Sequence, residues 1–266
     1  MKNAKTVIGV LCVMCGLNVY AESWYFVQIT DTHRGRGIHS NRLEQAIAQI
    51  NALDPAPLFV IHTGDFANDN LNPETAAAIS NDFARIKFPV YKVPGNHDIL
   101  PQRLDMTFNA YTNSLGPLSC RMETNGIQFL FLYTETLRKN IKIPDYDPIQ
   151  WLATQLNAHP KMPTIVVHHA PVAADFYNGK FHVSWAPEPA KVWNDTINTN
   201  GNVKAVICGH FHRDELHFND KGIPTYVAAG IAMFWSRQGT FRIYRCDDNG
   251  NLSYSTVYIE DPKAEN

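Results

Sequence analysis

The chain has 266 residues, 45% hydrophobic and 18% charged, with a formal net charge of −2. That length supports a sizeable buried core and the composition excludes a disordered chain. The near-neutral, slightly acidic balance argues against a protein built to grip nucleic-acid backbone.

The first residues differ from the rest. Lys2 and Lys5 precede an uncharged, mostly apolar run, Val7 to Leu17, too short to span a bilayer with ease, and Val19-Tyr20-Ala21 offers a small residue for cleavage. Residues 1–21 are therefore expected to be a signal peptide, cut near Ala21, that sends the protein to the periplasm or outside the cell. The mature chain, 22–266, is expected to form one domain with no membrane span. It would carry 21 Lys+Arg against 25 Asp+Glu and three cysteines, Cys120, Cys208 and Cys246, enough for at most one internal disulfide.

Trp24 to Thr30 reads as a strand. Asn41 to Leu53 follows as a helix, with Leu43, Ala46, Ile47 and Ile50 on one face and Asn41 and Glu44 at capping-box spacing. Leu58 to Thr63 is a buried-looking strand, Pro73 opens a helix running to about Lys87, and Val90 to Val93 is a short strand. Leu118 to Met122 and Ile127 to Tyr133 form a hairpin around Thr124-Asn125-Gly126. A helix capped by Asp147 leads to a strand at Thr164 to Val167, a helix from about Glu188 to Ile197 and a strand at Val203 to Cys208. Glu215 to Phe218, Thr225 to Ala229, Thr240 to Cys246 and Leu252 to Ile259 make the tail strand-rich. Alternating elements followed by a β-rich end predict an α/β fold: two mixed β-sheets, stacked and flanked by helices in a four-layer αββα sandwich.

Chemistry-bearing residues gather at strand ends: Asp31-Thr32-His33, Gly64-Asp65, Gly95-Asn96-His97-Asp98, His168-His169 and Gly209-His210-Phe211-His212. Carboxyl ends of strands are where α/β sheets bind ligands. Asp, His and Asn are donors suited to zinc, manganese or iron dications. Alternate side chains of Asp-x-His and His-x-His lie on one side of an extended chain and can reach the same or adjacent ions.

This ordered set resembles the calcineurin-like metallophosphoesterase family, whose pattern of D-x-H, GD, GNH[DE], a strand-end His and GHxH is intact between Asp31 and His212. The resemblance implies two metal ions of the manganese, iron, zinc or nickel kind. Asp31, His33 and His212 would hold the first; Asn96, His168 and His210 would hold the second; Asp65 would bridge them. Strand alternation lets only one of His168 and His169 face the site, and the resemblance assigns it to His168. His97 would face the substrate as a catalytic residue, oriented or charged by Asp98. The implied reaction is hydrolysis of phosphomonoesters or phosphodiesters by a metal-bridging hydroxide, on a small-molecule or envelope phosphoester. A cyclic-nucleotide phosphodiesterase is the alternative enzyme; a catalytically inert metal-holding binding protein is the alternative of another class. Asn68 stands where purple acid phosphatases place a tyrosine ligand, which argues against an iron-tyrosinate site.

Other residues carry weaker expectations. His62 reads as a core or supporting histidine. Phe176, Tyr177, Phe181, His182 and Trp185 lie in an aromatic stretch that suits a lid or pocket wall as well as simple loop packing. Arg34 and Arg36 suit an anion contact or a solvated loop, and Phe234 and Trp235 a site wall or core.

Overall fold

The structure, a computed structural model, describes residues 23–35, 39–232 and 237–260, with the side chains of 39–41 left aside. The expected signal peptide, Arg36, Phe234 and Trp235 lie outside these residues. In chain order the elements are β1 (Trp24–Ile29), α1 (His39–Asn51), β2 (Val60–His62), α2 (Pro73–Phe83), β3 (Val90–Lys92), α3 (Leu104–Ser114), β4 (Ser119–Thr124), β5 (Ile127–Leu132), α4 (Glu135–Arg138) and α5 (Pro148–Ala158). They continue as β6 (Thr164–Val167), α6 (Pro187–Asn198), β7 (Val203–Cys208), β8 (Glu215–Phe218), β9 (Pro224–Val227), β10 (Thr240–Cys246) and β11 (Leu252–Tyr258).

One sheet has the order β11-β10-β1-β2-β3 and the other β4-β5-β6-β7-β9-β8. Both are mixed. β1, β2 and β3 run parallel while β10 and β11 pair antiparallel; β5, β6, β7 and β9 run parallel with antiparallel β4 and β8 at the edges.

Strand alternation sorts the side chains into three apolar layers. Trp24 and Phe26 of β1, Phe129 and Phe131 of β5, and Ile165 and Val167 of β6 pack between the sheets. Val27 and Ile29 face α1, α2 and α3 with Leu43, Ile47, Ile79 and Tyr111. Leu130, Leu132 and Val166 face α5 and α6 with Leu152, Leu156 and Trp193. The expected four-layer αββα sandwich is the observed one. Gln28 is a buried polar residue between the sheets; it donates to Thr63 Oγ1 and the Cys208 carbonyl and accepts from the Tyr244 hydroxyl, so its polar atoms are satisfied.

Local signals set the helix starts. Asn72 accepts from Thr75 N and Asp147 from Ile149 N and Gln150 N, each followed by proline at the first helical position; such caps contribute about 0.5–2 kcal/mol each. Boundaries shift elsewhere. α1 begins at His39, so Asn41 lies inside it rather than capping it, and α2 ends at Phe83 instead of continuing to Lys87. The three cysteines are free thiols. Among the described residues no helix is long and apolar enough to cross a membrane.

Candidate metal centre

The loops after β1, β2, β3, β6 and β7 meet at one edge of the sandwich, where they bring most of the sequence-selected residues together. Asp31, His33, Asp65, His210 and His212 have φ of 51°, 43°, 57°, 74° and 50°. Left-handed backbone at non-glycine residues costs about 1–2 kcal/mol each and persists only where surroundings enforce it. Here Asp31 N donates to Gly64 O, His33 N to Asp65 O and Ala232 N to Asp31 O. Two glycines make the close approach possible: a Cβ on Gly95 would collide with the Asp65 carboxylate, and one on Gly209 with the Thr30 hydroxyl.

Two groups of buried donors result. Asp31, His33 and His212 form one, and Asp65, His169 and His210 the other; within each group the donor atoms lie within 4.8 Å of one another. Each group draws on both sheets, the first through the β1 and β7 loops, the second through the β2, β6 and β7 loops. Asp65 Oδ2 lies 3.1 Å from His169 Nε2 and 3.8 Å from His33 Nε2, between the groups. Asn96 Oδ1 is 3.2 Å from His169 Nε2 and so borders the second group.

The donor set fits cations. Asp31 directs Oδ2 to Thr30 Oγ1 and His210 N, at 2.6 and 3.1 Å, while its buried Oδ1 makes no hydrogen bond; the buried Nε2 of His210 makes none either. Buried polar atoms without partners cost about 1–3 kcal/mol each, so one such donor atom in each group fits a bound cation.

His168 is a correction. Its Nδ1 is 3.2 Å from Thr134 Oγ1, its Nε2 is 3.4 Å from Cys208 Sγ, and its ring lies on Trp193 at 4.5 Å. It belongs to the layer under α6, and the adjacent His169 enters the cluster instead. Asp98 is a second correction. Its buried carboxylate accepts from the backbone N–H of Asp65, Ala67 and Gly95, at 2.8–2.9 Å, and so ties the β2 and β3 loops together. The carboxylate beside His97 belongs to Asp69, whose Oδ1 is 2.8 Å from His97 Nδ1. Nothing in the sequence spacing marks Asp69, which sits in a turn rather than at a strand end.

Electrostatics follow from burial and crowding. Burial raises the Asp31 carboxyl to about 7 against the pull of His169. Asp98 rises to about 7 through burial and then the Asp65 charge. Burial also works upward on Asp65, but the charge and hydrogen bond of His169 hold it well below the usual carboxylate range. Burial alone would lower His169; the carboxylates of Asp65, Asp31 and Glu135 raise it to about 9. His210 and His212 fall well below their ordinary value through burial and the charge of neighbouring histidines, which keeps them in the neutral form that binds metals.

A cavity of about 550 Å³ opens over the second group, walled by His97 and Asp69 on one side, Arg138 and Lys139 on another, and Phe181, His182 and Val183 on a third. Of the aromatic stretch, Phe181 and His182 are thus pocket wall, whereas Trp185 packs in the layer under α6 and Phe176 and Tyr177 lie against Arg213. Asp175 shapes the stretch by accepting from the backbone N–H of Tyr177, Gly179 and His182 and by lying 2.9 Å from His182 Nδ1. His62 supports the site from below, 3.2 Å from Thr32 Oγ1 and accepting from Gly64 N. Arg34 is held by Asp82 of α2. Arg138 and Lys139, at the end of a one-turn helix, carried no sequence signal.

Comparison with known proteins gives the family and the fold. The sequence profile of the calcineurin-like phosphoesterases matches residues 25–214. A probable glycerophosphodiester phosphodiesterase of Arcobacter nitrofigilis is 29% identical over 199 residues, 70% of this chain and 71% of that protein. A probable cyclic nucleotide phosphodiesterase of Colwellia psychrerythraea is 26% identical over 201 residues, 71% of each chain. The crystal structure of a dimetal phosphatase from Danio rerio shares the fold, with a TM-score of 0.64 at 13% identity over 89% of this chain and 99% of that one.

Proposed function

The chain belongs to the calcineurin-like phosphoesterase family and is a metal-dependent phosphoester hydrolase, and on that premise we propose that it cleaves small-molecule phosphodiesters at a centre of two cations. The observation that carries the two-cation reading is the pair of buried donor groups with Asp65 Oδ2 between them. The diester reading is supported by the two bacterial relatives, both named as phosphodiesterases. Asp31, His33 and His212 would hold one cation, Asp65, His169, His210 and Asn96 the other, with Asp65 shared. When bound, two such ions would supply Lewis-acid charge and lower the pKa of water at the site.

The chain's own residues do the rest. Asp65 Oδ1 accepts from His97 N at 2.8 Å, which fixes the carboxylate and the His97 backbone together. With its Nδ1 on Asp69, the His97 ring keeps Nε2 for the substrate, where it would steady a phosphoryl oxygen or give a proton to the departing alcohol. The cavity behind it has room for the alcohol portion of a small diester.

The test is metal analysis of protein purified without chelator, followed by assays with manganese, zinc, iron and nickel added back. The panel is bis-p-nitrophenyl phosphate, p-nitrophenyl phosphate, a glycerophosphodiester and a cyclic nucleotide. Turnover of the diesters with two bound cations is expected. A metal-loaded protein inert on every member would instead make it a binding protein. We further propose that the protein acts outside the cytoplasm; N-terminal sequencing of the exported form should begin just after Ala21, and a cytoplasmic full-length chain would reverse this.

A further inference from the structure

Arg138 spends its guanidinium on three separate parts of the chain. Its Nε and Nη2 donate to the Glu135 carboxylate, at 2.7–3.0 Å, within α4. Its Nη1 donates to the Val183 carbonyl at 2.9 Å, on the aromatic wall of the cavity. Its Nη2 also reaches Asn96 Oδ1 at 3.3 Å, in the loop after β3. The Arg138 and Glu135 side chains are only 3% and 0% exposed. A planar fork can meet three differently placed acceptors at once, which a single ammonium cannot. Glu135 cancels its charge, so the guanidinium can lie beside a cation site with little net repulsion.

The wall it holds is also tied at its start, where Arg213 lies over the rings of Phe176 and Tyr177 and donates to the Tyr177 hydroxyl. Phe176, Phe181 and Val183 are exposed, and Asp175 braces the stretch mainly from inside. Yet the same stretch sets His182 against His210 with ring centroids 4.9 Å apart. Whatever fixes Val183 therefore also fixes the side of the cavity that touches the second donor group.

We infer that Arg138 is a positioning residue that straps the 175–183 wall to Asn96, so that cation binding at the Asn96 side and closure of the cavity wall depend on one another. The inference rests on the two-cation reading above. Asn96 has one carbonyl oxygen to offer a cation, and its side chain must be turned the right way to offer it. Arg138 sets that orientation, since His169 would turn its Nε2 to the cation. Residues that orient metal ligands in this manner change metal affinity about 10–100-fold when removed.

The discriminating variant is Arg138→Lys. It keeps a cation for buried Glu135 and so preserves the fold, but it loses the fork. The double variant Glu135→Gln/Arg138→Gln removes both charges together and covers the case in which the single variant folds poorly. Three readouts are taken on the whole protein: manganese titration of the metal-free chain, tryptic cleavage after exposed Lys180, and thermal melting. Manganese stoichiometry in the wild type should be two. In both variants the weaker-held cation should lose at least 10-fold in affinity while the other is retained, cleavage after Lys180 should quicken several-fold, and added manganese should slow that cleavage in the wild type only. Wild-type affinity and wild-type cleavage in the variants would overturn the strap, as would a change in one readout without the other. None of these measurements needs turnover, so a wrong substrate leaves the result standing. A wild-type protein that takes only one manganese would count against the two-cation reading itself and against the strap with it.

Discussion

His168 and His169 are neighbours with opposite environments, and the difference comes from one peptide step. β6 reads Thr-Ile-Val-Val before them, with Ile165 and Val167 between the sheets and Val166 under α5 and α6. Continuing the alternation sends His168 to the helices and His169 to the cluster. The sequence shows the alternation but not its phase, because both faces of this strand are apolar. His169→Ala is therefore expected to remove one cation and most turnover, whereas His168→Ala should keep both cations and lose about 1–3 kcal/mol of stability from packing and from the bond to Thr134. Metal analysis beside thermal melting separates the two; an exchange of these phenotypes would return the ligand role to His168. The other strand-end blocks were legible for a simple reason: turn glycines and chelating residue types coincide there. Asp69 and Asp98 were not, since their roles depend on which backbone groups the folded loops happen to present.

Among the elements, α3 is the longest that the sequence conceals. Its buried positions are Thr107, Ala110 and Tyr111, at helical spacing but too small or polar to register as an apolar stripe, and Thr and Asn interrupt it with weak helix formers. α4 is a single turn and lies below the length at which periodicity means anything. The strands were easier, because period two is visible over four residues. The aromatic wall depends on Asp175 more than on any regular structure. Asp175→Ala removes the acceptor for three backbone N–H groups and the partner of His182. At saturating manganese, where the Asn96-side cation stays bound even if its affinity falls with the loosened wall, it should raise KM for diesters several-fold. A fall in cation affinity with KM unchanged would mean that the wall serves the ligands and not the substrate.

For the whole molecule, the crowding of charge at one edge makes metal-free stability depend on pH. His169 has an ordinary value of 6.5 and is raised to about 9, so the folded state holds its proton more tightly than the unfolded chain does. That contribution is complete below pH 6.5 and is lost as pH rises towards 9. Asp31 and Asp98, raised from 3.8 to about 7, act in the same direction up to pH 7. The depressed histidines His168, His210 and His212 pull the other way, but only below 6.5. The melting temperature of chelator-treated protein should thus fall between pH 6.5 and 9, and His169→Gln should flatten the slope. Saturating manganese should reverse it, because cation binding needs the deprotonated ligands. A flat profile in the wild type would show that His169 is neutral when the cations are absent.

Neither sheet carries a full donor group, since His212 and His210 come from one while Asp31 and Asp65 come from the other. A half-assembled chain therefore has nothing that can hold a cation well, and the sandwich must close before the ions are captured. Loading is then the last event of maturation rather than its nucleus. Manganese should leave the refolding rate nearly untouched and act almost entirely by slowing the opening of the two sheets, giving the loaded protein a long lifetime rather than a fast birth.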